Sequence, residues 1–180
     1  NYISRLKAFE VYERAVRHSE EFDKEFNELL VKYKDYCINM FNIEREQKKP
    51  RKDIAKYDEI IDNIWYMYDD LFNNMKKEYE YQNTTDKNEI KLILETYMTK
   101  YYDVSEKDIW FNNIKLLCDE LGYASNVKDY KNNPDGYKGS IVDISMVIRV
   151  ALTTKSMTPD LYEIMKILGV DIINKRISSL

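Results

Sequence analysis

The sequence predicts an all-α protein built as two helical subdomains, residues 1–80 and 84–180. Three observations carry that prediction. With only 4 Gly and 3 Pro in 180 residues, the chain has too few tight-turn residues for a β-sandwich or barrel. Apolar side chains recur at the three- and four-residue spacing of a helix face, and no segment shows the apolar/polar alternation of a half-buried strand. A hydrophobic content of 44% against 33% charged residues supplies a core and argues against a disordered chain.

In chain order, Val11, Tyr12, Ala15 and Val16 form the first apolar face. Asp23 can cap a second helix that turns Phe26, Leu29 and Leu30 inward, and Tyr33, Tyr36, Cys37, Met40 and Phe41 make a third face. Pro50 interrupts the polar segment 44–53. Asp58 then caps a helix with Ile60, Ile61, Ile64, Trp65, Tyr68, Leu71 and Phe72 on its apolar side. The polar, turn-rich stretch 76–86 is the best domain boundary. Asp86 with Glu89 opens a helix through about Tyr102, facing inward with Ile90, Ile93, Leu94, Tyr97, Met98 and Tyr101. Ser105 with Asp108 caps the next, whose inward residues are Trp110, Ile114, Leu117, Cys118 and Leu121, and Gly122 ends it. Residues 131–136 are a turn cluster. Ser140 with Asp143 has the spacing of an N-cap pair, Thr158-Pro159 with Glu163 opens a last helix, and Gly169 follows that helix's final apolar position.

The net charge of −4 does not advertise a nucleic-acid binder, but it is unevenly spread. Residues 126–180 carry 8 basic and 6 acidic side chains, a net of +2 on a body of −6. The 16 Tyr, with many Lys, Asn and Ile, fit the coding bias of an AT-rich genome. Cys37 and Cys118 each lie in an apolar helical pattern without metal-ligand spacing, so they read as free core thiols of a reducing cytosol. The most apolar run, residues 60–72, is broken by Asp62, Asn63, Asp69 and Asp70, and no secretory core precedes it. A soluble, cytoplasmic protein without membrane contact is expected. Asn1 in place of Met points to a fragment.

No enzyme signature emerges. His18, the single histidine, stands on a polar stretch. Glu20-Glu21 and Asp69-Asp70 are adjacent pairs that diverge around a helix, and no glycine-rich phosphate loop is present. Two clusters suit binding. Lys48, Lys49, Arg51, Lys52 and Lys56 flank Pro50; they read as a solubilising loop or as phosphate contacts. Arg149 interrupts an apolar run and is followed by Thr153, Thr158, Pro159 and Leu161. Its guanidinium can address base edges, or its stem can cover the core while its head finds a helix C-terminus. Pattern alone leaves both readings open.

Several segments in order resemble one family. Residues 43–56 (IEREQKKPRKDIAK), 110–123 (WFNNIKLLCDELGY), 127–139 (VKDYKNNPDGYKG) and the tail from Val142 to Gly169 resemble the C-terminal anticodon-binding region of bacterial, clostridial-type glutamyl-tRNA synthetases. The resemblance implies a class I aminoacyl-tRNA synthetase that uses ATP and Mg to join glutamate to tRNA-Glu. The active site would lie in an N-terminal catalytic domain of the same chain. Its HIGH and KMSKS-type motifs do not occur here, so these residues would carry no cofactor. They would meet the anticodon arm, as part of a monomer. The family's anticodon contacts fall on Arg149 and Thr158, which would hydrogen-bond base edges, and on Pro159 and Leu161, which would pack. Thr154 stands where the family has Gly, so a different backbone path is expected there. A freestanding helical interaction module, or a relative that charges a glutamine tRNA, are the competing readings.

Overall fold

In a computed structural model, the described residues are 34–44, 47–48 and 60–180. The helices proposed for 7–30, the caps Asp23 and Asp58, and His18 lie outside them. Helices account for the secondary structure of the described residues, apart from one isolated parallel bridge between Ala124 and Ser140. The all-α prediction holds. No described helix is long and apolar enough to cross a membrane. The chain divides into two compact units, Asn1–Met75 and Lys76–Leu180.

In the first unit, α1 (Lys34–Asn42) buries Cys37, Met40 and Phe41, three of the residues predicted to face inward. The single helix expected up to Phe72 is instead broken. It runs as α2 (Ile60–Ile64), a 3-10 turn (Trp65–Met67) and α3 (Asp69–Met75), with Tyr68 extended at φ −107°, ψ 126°. The reason lies in the four large residues Trp65, Tyr66, Met67 and Tyr68. A continuous helix would turn some of them to water. The break buries all four, and Trp65 stacks on Phe72 with ring centroids 6.2 Å apart.

In the second unit, α4 (Lys87–Thr96) begins at Asp86, whose carboxylate accepts from the Asn88 N–H at 2.8 Å. It runs into a π turn, Tyr97–Tyr101. α5 (Lys107–Leu121) ends at Gly122, which takes the left-handed conformation (φ 81°) foreseen for it. The cap expected at Ser105 lies one residue later, at Glu106, without a side-chain bond. The Ser105 N–H is instead held by Asp103 at 2.8 Å, in an Asx turn that outcompetes the serine as organiser of the approach. A short helix, α6 (Val127–Asn132), precedes a 3-10 turn over Pro134–Gly136. At six residues with no buried side chain it left no periodic signal.

α7 (Ile141–Thr153) starts in the capping box of Ser140 and Asp143. α8 (Leu161–Ser178) is two helical pieces joined at Gly169, where φ 78°, ψ 161° interrupts the helix. The glycine therefore breaks the helix as expected, but the chain resumes it and buries Ile173 and Arg176. α7 packs against α4, α5 and α8. At the centre, the fully buried Tyr97 hydroxyl accepts from Trp110 Nε1 at 3.1 Å and donates to Met165 Sδ at 3.7 Å, which joins three elements through one polar atom.

Both thiols are buried. Burial pushes Cys37 up from 9.0 to about 11, against a hydrogen bond with Tyr68 that lowers it. Burial, reinforced by Asp119, pushes Cys118 up from 9.0 to about 12. A raised thiol pKa means that the folded state binds the proton more tightly than the unfolded state. That stabilisation is complete below pH 9 and is lost as pH rises through the folded values. We expect the urea midpoint to fall steadily above pH 9. In native buffer an aromatic disulfide reagent should titrate neither thiol faster than the protein unfolds; rapid labelling of either would contradict its burial.

Candidate nucleic-acid interface

The loop between α7 and α8, residues 154–160, is built from both ends. At its start, the Thr153 hydroxyl donates to the Arg149 carbonyl at 2.8 Å and accepts the Lys155 N–H at 3.1 Å. Thr154 closes α7 at φ 52°, ψ 19°. This is the left-handed conformation that suits glycine, adopted here by a threonine. A β-branched residue there costs about 1–2 kcal/mol. Its hydroxyl is used: Thr154 Oγ1 accepts the Lys77 N–H at 3.2 Å. Together with Asn83 Nδ2, which donates to Asp143 Oδ1 at 2.9 Å, this holds the polar stretch 76–86 along α7. For Thr154→Gly, relief of strain opposes the loss of that bond (about 0.5–1.5 kcal/mol) and glycine's extra backbone entropy (about 0.5–1 kcal/mol). We expect stability to change by less than about 1 kcal/mol while the Lys77 amide exchanges faster; an unchanged exchange rate would rule out the bond.

The far end of the loop is held by Arg149. This half-buried side chain points Nη1 at the Pro159 carbonyl (3.0 Å), the Thr158 carbonyl (3.3 Å) and the Thr158 hydroxyl. The structure thus brings together Arg149, Thr158 and Pro159, as the sequence proposed. It also buries two of the four named residues: Thr158 is 6% exposed and Leu161 4%. The Thr158 hydroxyl donates to Pro159 O at 2.9 Å.

The helix start differs from the Thr158-Pro159 opening expected. The N-cap of α8 is Asp160, whose Oδ1 accepts the Glu163 N–H at 3.2 Å and whose Oδ2 pairs with Lys107. Asp160 with Glu163 three residues on was the signal for this cap; Pro159 lies just outside the helix. Because the Asp160 carboxylate already serves that terminus, the backbone N–H groups of the first turn are not presented as an anion site. Two lysines flank the ring of Tyr162 in the first turn of α8. Lys107 and Lys166 lie 6.0 and 5.8 Å from the centroid of the Tyr162 ring.

Arg176 is a residue the sequence reading missed. It is 2% exposed, and its Nη1 donates to the Leu152 carbonyl at 2.6 Å in the last turn of α7. Its position three residues after the buried Ile173, on the inward face, was the available signal. In the basic cluster, Lys48 is described and exposed. Lys49, Arg51, Lys52 and Lys56 lie outside the described residues.

Residues 136–180, which contain α7, the braced loop and α8, match the family model described as "Anticodon binding domain". The whole chain is similar to glutamate–tRNA ligases. It is 39% identical over 176 residues to that of Clostridium perfringens strain 13, covering 97% of this chain and 32% of the relative. It is 38% identical over 180 residues to that of Acetivibrio thermocellus, covering 100% and 32%, and 29% identical over 176 residues to that of Sorangium cellulosum, covering 98% and 31%. The resemblance to the clostridial synthetases is therefore shown, and it lies with their C-terminal region. The chain spans about a third of the length of the curated relatives it matches.

Proposed function

We propose that this chain recognises the anticodon arm of tRNA-Glu as the C-terminal part of a glutamate–tRNA ligase. The observation that carries the reading is the match of residues 136–180 to the anticodon-binding model inside a match to glutamate–tRNA ligases that extends over the whole chain. An unrelated helical interaction module would have no reason to align throughout. In the whole protein, activation of glutamate with ATP and Mg would belong to the part of the relatives that lies outside this match; no step of that chemistry is assigned to residues of this chain. The protein would act in the cytoplasm, as a monomer.

At the site, Arg149 and Pro159 are the half-buried members that would face RNA, Arg149 as the reader of a base edge. Thr158 and Leu161 would contact the anticodon only if the loop opens; closed, they set its shape. Lys48, Lys49, Arg51 and Lys52 would contact phosphates. Fluorescence anisotropy with a labelled anticodon stem-loop tests the reading. Binding to the glutamate anticodon should be tighter than to a stem-loop with scrambled anticodon bases, and equal affinity for the two would refute anticodon recognition. Titrating the glutamine anticodon beside it decides whether the protein discriminates between those tRNAs. Exchanging Lys49 and Arg51 for Ala should weaken all stem-loops alike and flatten the salt dependence; an unchanged slope would assign the cluster to a solvated loop.

A further inference from the structure

Of residues 154–161, Met157 alone is exposed. At 75% it is also the most exposed of the large hydrophobic side chains among the described residues. Of the two residues expected to pack on RNA, Pro159 is half-buried and Leu161 is sealed in the core. The loop that carries Met157 is fixed at both ends, by Thr153 through the Lys155 N–H and by Arg149 through Thr158 and Pro159. A thioether is thus held out in water by a braced backbone.

We propose that Met157 supplies the apolar platform for an unstacked base of the anticodon loop, the packing role that the buried Leu161 does not present. This deepens the proposed function and rests on it. A thioether is polarisable and adapts its shape, so it lies well against the flat face of a nucleobase. Every base has such a face, so the contact is tolerant of sequence. Lys155 on the same loop and Lys166 beside Tyr162 would attract the phosphates of the anticodon loop, whereas Lys107 is paired with Asp160. The division of labour follows: Met157 contributes affinity for whichever base is splayed onto it, and Arg149 contributes discrimination.

The test uses the full chain, its Met157→Ala and Met157→Leu variants, and three labelled stem-loops: the glutamate anticodon, one with altered anticodon bases, and one with abasic anticodon nucleotides. Because the side chain is exposed, Met157→Ala should melt with the wild type. It should weaken binding to both base-containing stem-loops by a similar factor, about fivefold to tenfold, with an unchanged salt slope. Met157→Leu should restore most of the affinity, and on the abasic RNA all three proteins should bind alike. If the wild type prefers the intact anticodon while Met157→Ala binds it equally well, the platform is refuted and the proposed function stands. If the wild type itself shows no preference for the intact anticodon over the abasic loop, the proposed function fails and the platform fails with it.

Discussion

Replacing Arg149 with alanine should lower stability by about 2 kcal/mol and anticodon affinity by a further 1–3 kcal/mol. The first figure comes from its hydrogen bonds. Nη1 donates to two backbone carbonyls and a hydroxyl at the entry to α8, and hydrogen bonds from a charged donor contribute about 1.5–3 kcal/mol. The second is what a well-placed arginine contributes to distinguishing one base from another. The two effects separate experimentally. Loss of the brace appears in a thermal melt without RNA. Loss of base reading appears as a larger fall on the glutamate anticodon than on altered anticodons. Arg149→Lys sharpens the test, because it keeps the charge and discards the planar fork; it should retain the salt slope of the wild type and bind the glutamate anticodon as weakly as the alanine variant. An unchanged melt for Arg149→Ala would remove the brace. Equal losses on all RNAs would make Arg149 a structural or phosphate-contacting residue.

Arg149 also shows how far the sequence could be read. Its position in an apolar helix signalled a special role, and the order of Arg149, Thr158, Pro159 and Leu161 placed the loop between the last two helices. Sequence could not decide whether its head faced ligand or protein, because that depends on where the backbone carbonyls of Thr158 and Pro159 point, and no side-chain identity encodes this. The caps at Asp86, Gly122 and Ser140 were legible because each is a local exchange between one side chain or one dihedral and the adjacent turn. The start of α8 was misplaced for a related reason: Thr158-Pro159 and Asp160 both have helix-opening chemistry, and the contact of Asp160 with Lys107, far away in sequence, accompanies the later start. The break at Tyr68 was illegible because it answers to the packing of four large side chains at once, which a periodicity count treats one at a time. The exposure of Met157 was equally hidden, since a methionine beside a threonine and a proline has no sequence mark of facing outward.

Arg176→Ala should be the more damaging change to the fold, with a loss of about 3–4 kcal/mol. Arg176 is buried, and its Nη1 reaches the Leu152 carbonyl at 2.6 Å. Leu152 is in the last turn of α7, where carbonyls have no intrahelical donor. Truncation leaves that buried acceptor without this donor, which costs about 1–3 kcal/mol, and empties the volume of a long stem, which adds to the loss. Nearby, burial raises the Tyr79 phenol pKa while the Arg176 charge pulls it down, so the variant should also push Tyr79 higher. Arg176→Met separates the two contributions. It refills the stem and omits the guanidinium, so it should recover the volume part and remain about 1–2 kcal/mol below the wild type. Both variants should speed amide exchange at Thr154 and Lys155 by loosening the end of α7, and both should weaken anticodon binding through the loop they release. A methionine variant as stable as the wild type would mean that the capping bond contributes nothing and that Arg176 acts by filling space; an alanine variant as stable as the wild type would refute the role of Arg176 altogether.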